Sequence, residues 1–157
     1  SFFQGVKRRF SIIANKNNNL IIDDYAHHPS EVSATIKAIK SGWGNRRLIT
    51  VFQPHLFSRT KDFYRDFSIA LNDADINFLV PIYPAREAPI KGVSSLLIDD
   101  GLKDINHKYT YTLSDKKKIP EEINKIVKEN DIILFMGAGD VYKMIEPTYK
   151  KIYENKL

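Results

Sequence analysis

From about residue 20 onward, short apolar runs rich in β-branched and aromatic residues alternate with segments of helical period. "RLITVFQ" (47–53), "INFLVPI" (76–82), "KYTYTL" (108–113) and "DIILFM" (131–136) have the length and composition of strands. Between them, "PSEVSATIKAIKSGW" sets Val32, Ile36 and Ile39 at helical spacing behind Pro29, and "KDFYRDFSIALN" does the same with Phe63, Phe67, Ala70 and Leu71. Strands joined by helices of about 10–15 residues form right-handed crossovers, which make neighbouring strands parallel and pack helices on both faces of the sheet. The prediction is an α/β fold with a mainly parallel sheet.

"RRFSIIANKNNNLIIDDY" reads as two strands around an Asn-rich turn, so an N-terminal β-hairpin should supply an antiparallel edge. "PHLFSRT" (54–60) and "YPAREAPIKG" (83–92) read as loops. A short helix near "VSSLLIDD" is expected to stop at Gly101, a further helix to open at Pro120, and a last one to run from Val141 with a break at Pro147. A chain of 157 residues fits one domain with a sizeable core.

The chain has no cysteine, which rules out a disulfide framework and thiolate metal sites, and makes cytoplasm the expected location. Its longest apolar runs fall far short of the roughly 20 residues that span a bilayer, and no signal-peptide pattern opens it. The net charge of +5 is dispersed, with lysines among acids, so "KKK" (116–118) reads as a solvated face, and Arg46 and Arg47 as solvating a loop. The opening "SFFQGV" without methionine suggests a piece of a longer protein, with residues 1–10 as residual linker and 11–157 as the domain.

Ligands of open α/β sheets bind where the strands end, because the βα loops and helix N-termini converge there. Three polar loops follow predicted strands: "DDYAHHP" (23–29), "QPHLFSRT" (53–60) and "GAGD" (137–140). Parallel neighbours would gather Asp24, Tyr25, His27, His28, His55, Arg59 and Asp140 on one rim. Gly137 and Gly139 make only a fragment of a dinucleotide fingerprint, so a tight strand-to-helix turn is the stronger reading. Arg59 either caps a helix, pairs with Asp62, or offers its fork to a carboxylate or phosphate. Adjacent histidines in an extended segment point apart, so His27 and His28 should not share a metal.

"FFQGVKRRFSI", "IIDDYAHHPSEVSATIKAIK", "VFQPHLFSRTKDFYRDFSIAL", "IYPAREAPIKGVSS" and "FMGAGDVYK", in this order, make nearly the whole chain resemble the C-terminal domain of the Mur ligases. The resemblance implies a Rossmann-like domain, the third of three, behind a domain that holds a UDP-sugar and a central ATPase domain. The implied reaction belongs to peptidoglycan precursor synthesis in the bacterial cytoplasm: ATP converts the carboxylate of UDP-N-acetylmuramate to an acyl phosphate, and L-alanine then displaces phosphate. No Gly-x-x-x-x-Gly-Lys-Ser/Thr run is present, so the phosphate cradle and most of the Mg2+ site would lie upstream and this piece alone would be inactive.

Carried over by position, the resemblance gives Asp24 to the ATP ribose and Tyr25 to the adenine. His27 and Arg59 would receive the alanine carboxylate, with His55 beside them. No catalytic residue and no metal ligand is assigned within this piece, and neither nucleic acid nor membrane is an expected partner. Where relatives often carry arginine this chain has Leu56, so its pocket would lack one cation or borrow one, with Arg86 a candidate. Three other readings stay open: a ligase that recycles a tripeptide onto the same sugar nucleotide, a non-catalytic phosphate-binding module, and a manganese phosphoesterase built on Asp23, Asp24, His27 and His28.

Overall fold

The structure, a computed structural model, describes residues 9–154. The expected linker, residues 1–10, therefore lies outside the described residues apart from Arg9 and Phe10. Strands β1 (Ser11–Lys16) and β2 (Asn19–Asp24) form the expected hairpin around Asn17 and Asn18. Both asparagines take positive φ, 53° and 61°, the conformation that a two-residue turn matched to the strand twist demands and that asparagine tolerates.

Four further strands, β3 (Leu48–Phe52), β4 (Ile76–Leu79), β5 (Thr110–Thr112) and β6 (Ile132–Met136), complete one sheet in the order β1-β2-β6-β3-β4-β5. Only β1–β2 is antiparallel; the other pairings are parallel. Helices α1 (Pro29–Trp43), α2 (Phe57–Leu71) and α3 (Leu96–Asp104) cover one face, and α4 (Ile119–Ile126) and α5 (Ile145–Tyr153) the other. Alternation along each strand decides which core a side chain joins: Ile132, Leu134 and Met136 meet α1–α3, whereas Ile133 and Phe135 meet α4 and α5. Burial on both faces explains why β6 is apolar throughout.

Several expectations need correction. Helix α2 begins at Phe57, so "SRT" belongs to the helix rather than to the loop before it. Phe63 lies at the margin of the buried face, 36% exposed, while Phe67, Ala70 and Leu71 are buried as expected. Gly101 does not stop α3; it lies inside the helix, where a Cβ would come 2.2 Å from Ser68 Oγ of α2, so glycine is what lets the two helices approach. Pro147 does not break the last helix either. It falls in the first turn of α5, where an N–H has no partner to lose, and the irregularity comes earlier, as a 3-10 turn over Val141–Met144.

Arg46 and Arg47 do more than solvate a loop. Arg46 Nε donates to Asn130 O at 2.8 Å, and a second guanidinium nitrogen donates to Asn18 O. Arg47 donates to both carboxylate oxygens of buried Asp131, at 2.9 and 2.7 Å, and to Ile126 O at 2.7 Å, so it links the start of β3, the start of β6 and the end of α4. Within "KKK", which forms a 3-10 turn capped by Asp115, Lys116 is paired with Asp140 at 3.2 Å. Among the described residues no helix is long and apolar enough to cross a membrane.

Candidate functional site

Asp24, Met136 and Phe52 are register partners across β2, β6 and β3, so the three polar loops leave the sheet from one line. Insertion of β6 between β2 and β3 is what brings the loops together.

The first loop is pinned from within. Asp24 is buried; its Oδ1 accepts from Ala26 N at 3.0 Å and its Oδ2 from Thr35 Oγ1 of α1 at 2.7 Å. Burial pushes its carboxyl above the usual carboxylate range despite those two bonds. Glu31 accepts from His28 N at 3.0 Å, which closes the start of α1. The histidines diverge as expected: the His27 ring faces His55 at 6.0 Å, while His28 lies 5.5 Å from Phe63. His27 Nδ1 lies 2.9 Å from Tyr25 O, and a carbonyl only accepts, so the proton is on Nδ1 and Nε2 can donate only in the imidazolium form. Tyr25 is exposed beside it, its ring edge-on to His27 at 5.2 Å.

The second loop runs along "YPAREAPIKG". Tyr83 N donates to Pro54 O at 2.8 Å and Leu56 N to Tyr83 O at 2.9 Å, and the Tyr83 ring stacks on His55 at 5.7 Å with 15° between planes. Between His55 and Arg59, Leu56 takes φ 74°, a region that β-carbons disfavour. That turn lets α2 start at once, so Arg59 stands in its first turn. His55 Nδ1 and Arg59 Nη1 are buried atoms with no hydrogen-bond partner. Burial, together with the Arg59 and His27 charges, pushes the His55 pKa down, so His55 enters the site as a neutral ring. A buried guanidinium nitrogen without an acceptor is a group awaiting one.

The third loop is a locked turn. Gln53 Oε1 accepts from Asp140 N at 2.9 Å and Val141 N at 3.0 Å, and Gln53 Nε2 donates to Asp140 Oδ1 at 2.8 Å. Burial alone would raise the Asp140 carboxyl, but Gln53 and Lys116 outweigh it and hold it below the usual range. Asp140 thus reaches the rim as a turn anchor. Gly139 has a reason to be glycine: a Cβ there would lie 2.5 Å from both Gln53 Oε1 and the Tyr83 ring. Because Gln53 is held by three bonds and Tyr83 by the His55 stack, Gly139→Ala should cost about 2 kcal/mol, read as a fall in Tm of about 4–8 °C. An unchanged Tm would show that this packing yields freely.

The rim therefore brings Tyr25, His27, His55 and Arg59 together, commits Asp24 and Asp140 to their own turns, and turns His28 away. Gln53, Tyr83 and Glu87 were not singled out by the sequence, although a glutamine closing the strand run "RLITVFQ" was a usable signal. Arg86 is exposed beside Glu87. Among the described residues no group of three or more His, Asp or Glu could hold a metal ion, and the Asp23, Asp24, His27 and His28 set fails because Asp24 is bonded inward and His28 points at Phe63.

Comparison with known proteins gives consistent results. The profile of a family described as "Mur ligase, glutamate ligase domain" matches residues 8–139. A UDP-N-acetylmuramate–L-alanine ligase of Christiangramia forsetii is 45% identical over 150 residues, 96% of this chain and 32% of that protein. A solved UDP-N-acetylmuramate–alanine ligase from Thermotoga maritima superposes with a TM-score of 0.76 at 30% identity, over 95% of this chain and 30% of that one. A murein peptide ligase from Psychrobacter arcticus superposes with a TM-score of 0.77 at 22% identity, over 97% of this chain and 31% of that one, which shows the shared fold. The chain thus spans about a third of the length of the curated relatives it matches.

Proposed function

This chain belongs to the Mur ligase family, and from that premise we propose that it is the C-terminal domain of a ligase that joins L-alanine to UDP-N-acetylmuramate with ATP. In this reading residues 1–10 are the tail of a linker from the upstream ATPase domain, residues 11–157 are the domain, and the whole enzyme works in the cytoplasm on peptidoglycan precursors. The observation that supports it best is the pair of buried, unpartnered atoms Arg59 Nη1 and His55 Nδ1, on a rim that His27 shares.

The chemistry needs an acceptor held still. ATP, when bound, supplies the phosphoryl group that turns the muramoyl carboxylate into an acyl phosphate. The amine of L-alanine then attacks the acyl carbon; the new C–N bond forms, the C–O bond to phosphate breaks, and the amine proton is lost. Arg59 holds the alanine carboxylate through charge-assisted bonds, so the amine is aimed rather than left to rotate. His27 lines the same rim and assists by shape and polarity, while His55, neutral, supplies shape and a hydrogen bond rather than charge. Asp24 and Tyr25 border the nucleotide: the exposed ring suits adenine, and a carboxylate with four lone-pair sites retains capacity for a ribose hydroxyl beyond its two internal bonds. The chain carries no Gly-x-x-x-x-Gly-Lys-Ser/Thr run, so the ATP phosphates and most of the Mg2+ site are given to upstream domains.

The test is phosphate release by the full-length enzyme given ATP, Mg2+ and UDP-N-acetylmuramate, with L-alanine, a tripeptide or neither. Release that depends on L-alanine is expected. Dependence on the tripeptide would move the protein to the recycling ligase, and no release with either would refute both.

A further inference from the structure

Helix α2 carries Arg59 in its first turn but has no cap of its own: Leu56 precedes it, no side chain of that residue caps it, and its first turn contains no acid. The missing cap comes from 29 residues away. Glu87 Oε1 accepts from Ser58 N at 3.0 Å, and Glu87 Oε2 accepts from Ser58 Oγ. Glu87 is aimed there by a turn in which its own N–H donates to Pro84 O at 2.9 Å, and that turn is fastened to the second loop through Tyr83. A carboxylate at a helix N-terminus satisfies open N–H groups and faces the positive end of the helix dipole.

Arg59 follows Ser58 directly, and its buried Nη1 keeps no hydrogen-bond partner. We propose that Glu87 is a positioning residue: it caps α2 through Ser58 and so fixes the first turn that presents Arg59 to the carboxylate of the incoming amino acid. The last part rests on the function proposed above. Ser58 is the partner that makes this possible, since its N–H and its hydroxyl each donate to one Glu87 oxygen.

The experiment compares wild type, Glu87→Ala and Glu87→Gln in the full-length enzyme by hydrogen exchange over residues 57–63 and by the KM values for L-alanine and ATP. In Glu87→Ala the first turn of α2 should exchange about tenfold faster and the L-alanine KM should rise about tenfold, with the ATP KM within about twofold of wild type. Glu87→Gln, which keeps an amide oxygen able to accept from Ser58, should recover most of both. Unchanged exchange overturns the proposal, as does faster exchange with an unchanged L-alanine KM, or an equal loss toward both substrates. A wild type that ignores L-alanine would refute the function instead, and exchange alone would then decide the cap, faster exchange upholding it and unchanged exchange overturning it.

Discussion

Replacing Arg59 by alanine in the full-length enzyme should raise the KM for L-alanine by about ten- to a hundredfold and leave the KM for ATP within about twofold. A hydrogen bond to a charged group contributes about 1.5–3 kcal/mol, which converts to that range. The effect should fall on the amino acid because Arg59 stands on the β3 side of the rim, next to His55, whereas Asp24 and Tyr25 stand at the end of β2. Arg59→Lys should recover part of the loss, since the ammonium restores charge but not the two-pronged fork. Steady-state kinetics with each substrate varied in turn decides the matter: an unchanged L-alanine KM removes Arg59 from the carboxylate site, and an equal loss toward ATP places it with the nucleotide.

Arg47→Ala should destabilise the fold by about 2–3 kcal/mol. Asp131 is 2% exposed, and removal of Arg47 leaves its carboxylate buried with Lys128 N still donating to it at 2.7 Å. Breaking a fully buried ion pair costs about 3–5 kcal/mol; the Arg47 side chain is 28% exposed, so water can partly replace it and the figure is discounted. The loss should also loosen the end of α4, because Arg47 donates to Ile126 O there. Urea denaturation gives the number. Adding Asp131→Asn to Arg47→Ala should recover part of the stability by removing the stranded charge; a single-variant loss below about 0.5 kcal/mol would mean that the pair behaves like an ordinary surface pair.

Local rules served well where local forces dominate. The hairpin turn followed from two asparagines that tolerate positive φ, and helix α1 from Pro29 and the Val32–Ile36–Ile39 spacing. They failed where a distant residue decides. Gly101 looked like a stop until α2 lay against it, and "SRT" looked like a loop until Glu87 capped it. Arg47 looked solvated because its partner, Asp131, is 84 positions away.

By itself, then, the sequence determined the α/β class, the antiparallel edge and the three polar loops, because periodicity, turn chemistry and side-chain type act over a few residues. Strand order, and with it the meeting of the loops, was decided only in three dimensions: β6, last along the chain, inserts between β2 and β3 because its run, apolar on both faces, is best buried at the centre. The same holds for the charges. Whether an arginine is spent on a structural acid, as Arg47 is, or left open, as Arg59 is, depends on where the acids come to rest, and that is settled by contacts between residues far apart in the chain.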